Sequence, residues 1–156
     1  MSQADDAGRT RRLVVLDTNI VLDLLVFDDP RVGALKTALQ FGSVQWLATR
    51  AMRDELARVL GYPNIVAWSA RRGRDPDAVC IDVLAGFDAH AHIVADASPA
   101  PLLCSDPDDQ GFIDLAWAHG AALVSNDRAV IDVWKRLGAG RTIEIAATAA
   151  PSMQAE

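Results

Sequence analysis

The sequence predicts an α/β protein with a mostly parallel sheet. The prediction rests on short apolar, β-prone runs that alternate along the chain with longer segments of helical periodicity. The first run, Leu13–Leu16, is continuously apolar and stops at Asp17, as expected for a strand buried on both faces of a parallel sheet. Ligands of such folds lie beyond the carboxyl ends of the strands, so residues that directly follow a strand are the first candidates for chemistry.

The remaining elements follow in order along the chain. Further strands are predicted at 44–47, 91–94, 121–124 and 142–145, of which 91–94 has the weakest pattern. Helices are predicted at 18–27, 30–41, 50–60, 63–72, 76–88, 107–119 and 128–137. Strands that alternate with helices in this way are typical of parallel sheets joined by helical crossovers.

Length and composition indicate one globular domain. With 156 residues, 51% of them hydrophobic, and a mean hydropathy of +0.12, the chain is unlike disordered, collagen-like or disulfide-scaffold proteins. We expect a domain over 12–148, a disordered N-terminal tail at 1–11 and a C-terminal tail at 149–156. The polar start and the lack of a long apolar run predict a cytoplasmic protein.

The net charge of −6 limits the possible partners. A protein that holds nucleic acid by bulk electrostatics normally carries clustered Lys and Arg. Any activity on nucleic acid would therefore need local positive charge or bound metal ions.

Two acidic residues directly follow predicted strands. Asp17 follows the first strand, and Asp127 follows the strand at 121–124. Both point toward the same edge of the sheet, but Asp is also a favoured helix N-cap residue. Each residue considered alone leaves the capping and the functional interpretations open.

A further acidic group opens the helix 107–119. Asp109 lies one turn before the core-facing residues of that helix, so its carboxylate points inward and needs a partner. Asp106 can cap the helix, and both Asp108 and Asp109 gain from the helix dipole. The helical geometry assigns Asp108 and Asp114 to solvent.

Glu55 lies in the predicted helix 50–60, at the margin of the stripe that includes Met52 and Leu56. Asp54 lies nearly opposite that stripe. Glu55 can therefore reach the edge of the sheet and Asp54 cannot, although a solvated carboxylate remains an equal interpretation of Glu55 alone.

Together, these positions predict an acidic cluster at one edge of the sheet. Each close pair of carboxylates would repel by about 4 kcal/mol at 4 Å with an effective dielectric near 20. Oxygen ligands suit Mg²⁺ or Mn²⁺, and two such ions would balance four carboxylates and hold a phosphodiester for attack by water. The predicted chemistry is metal-dependent phosphodiester hydrolysis.

In four segments the sequence resembles the PIN domain family of metal-dependent ribonucleases. They are LVVLDTNIVLDLL (Leu13–Leu25), TRAMRDELARVLGYP (Thr49–Pro63), DPDDQGFIDLAWAHGAALVSND (Asp106–Asp127) and the closing strand near Ile143. The resemblance implies an α/β/α sandwich. It also implies an acidic site whose residues are Asp17, Glu55, Asp109 and Asp127, with Asp106 as a further metal ligand.

The resemblance carries further implications about residues and partners. Asn19 and Ser125 match polar positions of the family that would orient Asp17 and the bound metal or water, whereas Asn126 departs from the Gly or basic residue of many members. Many similar bacterial proteins are toxins of toxin–antitoxin pairs that cut RNA until an antitoxin blocks the site. A homodimer and a cognate antitoxin are therefore expected.

Four arginines are candidates for contact with the RNA backbone: Arg50, Arg71, Arg72 and Arg74. A solvated charge run explains the last three equally well.

Two other functions stay open at this point. A catalytically silent PIN domain could serve as an interaction module. A phosphatase of the haloacid dehalogenase type also has an Asp after its first strand, but it needs a second Asp two residues later, where this chain has Asn19.

Overall fold

The computed structural model describes residues 12–138 and 142–143. Within them, five parallel strands form one sheet in the order β3-β2-β1-β4-β5. The strands are β1 (Arg12–Leu16), β2 (Val44–Ala48), β3 (Ala91–Ile93), β4 (Ala122–Val124) and β5 (Thr142–Ile143). The predicted tails at 1–11 and 149–156 lie outside the described residues, as do Glu144 and Ile145 of the last predicted strand.

Seven α-helices connect the strands in the described part of the chain. They are α1 (Thr18–Leu25), α2 (Gly33–Phe41), α3 (Arg50–Val59), α4 (Pro63–Arg71), α5 (Pro76–His90), α6 (Pro107–His119) and α7 (Arg128–Arg136). The predicted α/β class with a parallel sheet is confirmed.

The predicted helix at 30–41 is divided in the structure. A 3₁₀ turn at Pro30–Val32 precedes α2. The Asp29 side chain accepts a hydrogen bond from the Arg31 backbone N–H at 2.9 Å, and Pro30 occupies the first position of the turn. This local cap starts a separate short turn, which the helical periodicity alone did not reveal.

The helices form two layers, one on each face of the sheet. Helices α1, α3 and α5 contact one another and α4 packs on α5, whereas α6 packs on β1 and β4 and contacts α7. The chain runs from β1 through β2 to β3 and then crosses back to β4 and β5. Right-handed crossovers therefore place α1 to α5 on one face and α6 and α7 on the other, which gives an α/β/α sandwich.

The centre of the sheet is closely packed. Val14 and Val15 of β1 are fully buried, which is why this strand is apolar on both faces. On the α5 side, the Trp46 and Phe87 rings pack edge to face with their centroids 4.8 Å apart. None of the described helices has the length and apolar character needed to cross a membrane.

The direction of strand order reverses at β1, which lies between β2 and β4. Leu16 at the end of β1 pairs with Val124 at the end of β4, so both strands finish at the same level. We call this side of the sheet the carboxyl edge. A crevice opens where the strand order of such a sheet reverses, and residues that follow β1 and β4 border it.

Candidate active site

Asp17 and Ser125 lie side by side at the carboxyl edge. The backbone N–H of Asp17 donates to the carbonyl oxygen of Val124 at 3.2 Å, which extends the pairing of β1 and β4 by one residue. Asp17 is only 4% exposed and Ser125 only 1%. The ends of two neighbouring strands thus hold a buried carboxyl group next to a buried hydroxyl group.

Ser125 connects the two acids that follow the strands. Its Oγ accepts a hydrogen bond from the Asp127 backbone N–H at 3.0 Å and donates a short hydrogen bond to Oδ2 of Asp17. The hydroxyl has one proton and two lone pairs, so it can accept from Asp127 and donate to Asp17 at the same time. Ser125 therefore orients the Asp17 carboxylate.

The capping interpretation of the strand-end acids is also correct. Oδ1 of Asp17 accepts from the Ile20 N–H at 2.9 Å, and Oδ1 of Asp127 accepts from the Ala129 N–H at 2.9 Å. The two residues cap α1 and α7. Capping leaves lone pairs of each carboxylate available for a ligand, so the two roles are compatible.

Glu55 reaches the site from α3. Its Oε2 accepts a hydrogen bond from Oγ1 of Thr18 at 3.2 Å, which joins α3 to the start of α1. Asp54 is exposed instead, and its Oδ1 lies 3.7 Å from Nε of Arg50. The predicted orientation of this helix is confirmed, and Thr18 is a contact that the sequence analysis did not assign.

Asp109 approaches from α6, on the other face of the sheet. It is half-buried, and Asp106 caps the same helix by accepting from the Asp108 N–H at 3.0 Å. Partial burial, followed by repulsion from Asp106 and Asp127, raises the pKa of Asp109 from 3.8 to about 6. Such a shift means that the folded chain disfavours the ionised form of the Asp109 carboxyl group.

The pKa values of Asp17 and Glu55 shift in the same direction. Burial raises the pKa of Asp17, and the hydrogen bond from Ser125 opposes that shift in part. Burial also raises the pKa of Glu55, against the hydrogen bond from Thr18. The protein's own hydrogen bonds therefore compensate only part of the cost of these charges.

The four acids line one cavity of about 220 Å³, which we call the acid cleft. Its remaining lining residues are Thr18, Asn19, Leu22, Val59, Tyr62, Asn64 and Ile65. Asn19 is exposed on the wall, whereas Asp106 is not among the lining residues. Tyr62 and Asn64 are lining residues that the sequence analysis missed.

Comparison with protein families relates the fold and the four acids to a known family. The PIN domain family model matches residues 13–129, which is most of the chain and includes all four lining acids. The chain belongs to the PIN domain family. PIN domains are generally nucleases. Membership of this family rules out the alternative of a haloacid dehalogenase-type phosphatase. No curated protein matches the chain.

The donor set of this PIN domain suits a hard divalent ion. In the described part of the chain, no group of three or more Asp, Glu, His or Cys side chains is arranged so that it could hold a metal ion by itself. Mg²⁺ does not need such a cage, because it keeps several waters and is usually bound through one or two carboxylates. Repelling carboxylates with raised pKa values in one cleft fit a hydrated Mg²⁺ or Mn²⁺.

The four candidate arginines of the PIN domain lie outside the acid cleft. All are exposed, and the guanidinium of Arg72 stacks 3.9 Å from the centroid of the Trp68 ring. Arg71, Arg72 and Arg74 lie at or just beyond the end of α4, whose first residues line the cleft. A nine-residue helix is about 13 Å long, so the backbone of these arginines lies roughly one helix length from the residues of α4 that line the cleft.

A second cavity of about 290 Å³ lies beside the acid cleft, and Glu55 lines both. We call it the loop cavity, because Asp96 and Ala97 of the loop between β3 and α6 form part of its wall. Asp114, assigned to solvent from the sequence, is half-buried here. That assignment was wrong: Asp114 accepts at 2.8 Å from both the Ala100 N–H and the Gln110 side chain, and so holds the loop against α6.

Proposed function

We propose that the protein is a metal-dependent endoribonuclease that hydrolyses RNA phosphodiester bonds. One observation carries the proposal: four carboxylates from four separate elements of a PIN domain line a single cleft. Three of them, Asp17, Glu55 and Asp109, have raised pKa values, and the protein's own contacts offset the shifts of Asp17 and Glu55 only in part. A cleft that repels anions in this way needs a cation before it can accept a phosphodiester.

In this proposal Asp17, Glu55, Asp109 and Asp127 hold a hydrated ion, one or two of them directly and the others through its waters. Asp106, which caps α6 and repels Asp109, is a further proposed ligand. When bound, Mg²⁺ or Mn²⁺ supplies positive charge that offsets the phosphodiester and makes a water molecule more acidic.

The protein's own groups prepare the site for this ion. Ser125 keeps Oδ2 of Asp17 in place, and Thr18 keeps Oε2 of Glu55 in place. Helices α1 and α7 both begin at the cleft, and their N-terminal dipoles favour the negative charge of Asp17 and Asp127. These contacts reduce the reorganisation needed when substrate binds.

The cellular role belongs to the same proposal. The resemblance to single-domain bacterial PIN toxins supports a toxin of a type II toxin–antitoxin pair, a cognate antitoxin that blocks the cleft, a cytoplasmic location and a homodimer. Arg50, Arg71, Arg72 and Arg74 are proposed contacts for the RNA backbone away from the acids.

A cleavage assay with matched variants tests the proposal. We expect the wild-type protein to cut single-stranded RNA in Mg²⁺ or Mn²⁺, and EDTA or Asp127→Asn to abolish cutting, because each removes part of the metal site. Asp132→Asn is the matched control, since Asp132 is an exposed acid of the same helix. Expression in a bacterial host should arrest growth with the wild type and not with Asp127→Asn.

The opposite results are equally specific. Cleavage that persists in EDTA would rule out the metal mechanism. RNA binding without cleavage in either metal would identify the silent interaction module instead.

A further inference from the structure

Tyr62 is a large aromatic side chain on the wall of the acid cleft. The contacts described for the site do not account for its position there. It lies in the turn between α3 and α4 and is 45% exposed. The other exposed large hydrophobic residues of the described chain lie outside the cleft lining; they are Phe41, Ile81, Ile93, Leu103 and Trp117. An apolar ring is therefore presented to solvent beside the four carboxylates.

The backbone of Tyr62 is held firmly although its ring is not buried. Its N–H donates to the Val59 carbonyl at 2.9 Å, and its own carbonyl accepts from the N–H groups of Ile65 and Val66, each at 3.0 Å. The following Pro63 restricts the conformation of Tyr62 further. Tyr62 occupies the N-cap position of α4, but its side chain makes no capping hydrogen bond. The backbone that carries the ring is thus held in place, and the ring itself does not cap the helix.

The charges around the cleft explain why such a ring is useful there. The lining contains four carboxylates, the chain carries a net charge of −6, and the candidate arginines lie away from the cleft. A stacking contact with a neutral ring can hold a nucleotide without adding charge to the cleft. Every nucleobase offers a flat face to an aromatic ring, so the contact does not depend on base identity.

We propose that Tyr62 is a stacking platform for the nucleobase next to the scissile phosphodiester. This inference rests on the proposed ribonuclease function, because a phosphodiester at the carboxylates places a neighbouring nucleoside along the same wall. Within that proposed function the ring favours a single-stranded substrate, whose bases are free to unstack and rotate onto it. The contact predicts little preference for a particular base at that position.

The first experiment compares three variants on one substrate. The substrate is a single-stranded oligoribonucleotide with one mapped cleavage site, in Mg²⁺. Tyr62→Ala should raise KM roughly 10- to 100-fold, the range expected for loss of one base–aromatic stack, and Tyr62→Phe should stay near the wild type because it keeps the ring. Phe41→Ala is the matched control: Phe41 is 82% exposed and lies just before β2, at the opposite edge of the sheet.

The second experiment removes the base instead of the ring. Abasic residues replace, one at a time, the nucleotides on each side of the cleaved bond. At one of these positions the wild type should fall to the level of Tyr62→Ala on intact RNA, and Tyr62→Ala should lose nothing more. This non-additivity is expected of a ring and a base that contact each other, and a purely structural role would not produce it.

Several results would overturn the inference. Wild-type cleavage that Tyr62→Ala leaves unchanged removes the stacking role and leaves the ribonuclease proposal standing. Equal losses for Tyr62→Ala on intact and on both abasic substrates also remove it. Unchanged cleavage with a shift from dimer to monomer in sedimentation would instead make Tyr62 an interface residue. If the wild type cleaves no RNA, the proposed function fails and the inference falls with it.

Discussion

The acid cleft and the loop cavity are both acidic, and Glu55 lines both, but their carboxylates are in different situations. In the acid cleft, Asp17 is buried and Asp109 is repelled by the surrounding acids. In the loop cavity, Asp108 is exposed to water and Asp114 is held by two hydrogen-bond donors of the protein. The loop cavity is the larger of the two. Neither cavity size nor the number of acids therefore identifies the site; the presence in one cleft of carboxylates whose burial is at most partly offset by hydrogen bonds does so better.

The largest expected effect tests this difference directly. Asp17→Asn should abolish RNA cleavage, whereas Asp108→Asn in the loop cavity should leave it near the wild type. Asparagine keeps the cap, because its Oδ1 can still accept from the Ile20 N–H, so the metal-free variant should be as stable as the wild type or more so. Cleavage rates with Mn²⁺, and thermal unfolding in EDTA, measure both parts.

Two results would contradict the comparison. Comparable losses of activity in Asp17→Asn and Asp108→Asn would mean that both cavities take part in cleavage. A large loss of stability in Asp17→Asn without metal would mean that the buried carboxylate is mainly structural.

Glu55 should give an intermediate effect, since its carboxylate can hold the ion through a water molecule. Glu55→Gln should lower metal affinity and the cleavage rate by something on the order of 10- to 100-fold, as for the loss of an outer ligand, or more if Glu55 binds the ion directly. Asp54→Asn should do little, because Asp54 faces solvent from the same turn of α3. A titration of the cleavage rate with Mn²⁺ measures both variants. Equal rates for Glu55→Gln and the wild type would remove Glu55 from the site.

The smallest expected effect is on the pH dependence of stability. It is tested by comparing Asp109 with Asp23. Partial burial raises the pKa of Asp23 to about 6 as well, although Asp23 is not a lining residue of the acid cleft. Each group binds its proton more tightly in the folded chain, so its contribution to stability is present at low pH and is lost as pH rises from about 4 to about 6.

Removing either charge should therefore stabilise the metal-free protein at pH 7.5. We expect about 1 kcal/mol for Asp109→Asn and for Asp23→Asn, less than the full pKa shift implies because both groups are partly solvated. The gain should disappear near pH 4, and only Asp109→Asn should impair cleavage. Urea unfolding in EDTA at both pH values measures this. Destabilisation by Asp109→Asn at pH 7.5 would reveal a stabilising partner of that carboxylate.

Much of the site was accessible from local patterns. Asp17 and Asp127 were found because they directly follow buried strands, and parallel strands end at one edge. The separation of Glu55 from Asp54 followed from the geometry of a helix with Met52 and Leu56 facing inward. Asp114 was misassigned for the same reason: a helical wheel shows which way a side chain points, but not that a loop covers that face.

The sequence by itself determined the succession of strands and helices along the chain, the different orientations of Glu55 and Asp54 and the family to which the chain belongs, because these depend on periodicity and short motifs within one element. Only the tertiary structure decided the contacts between distant residues. The resemblance implied that Ser125 orients Asp17, but the structure gives the hydrogen bond, which joins residues 108 positions apart, and the bond from Thr18 to Glu55, which spans 37 positions. The tertiary structure also decided that the exposed ring of Tyr62 lies on the cleft wall. Such contacts depend on how the elements pack against each other, and the residue pattern within one element does not give its distance to another element.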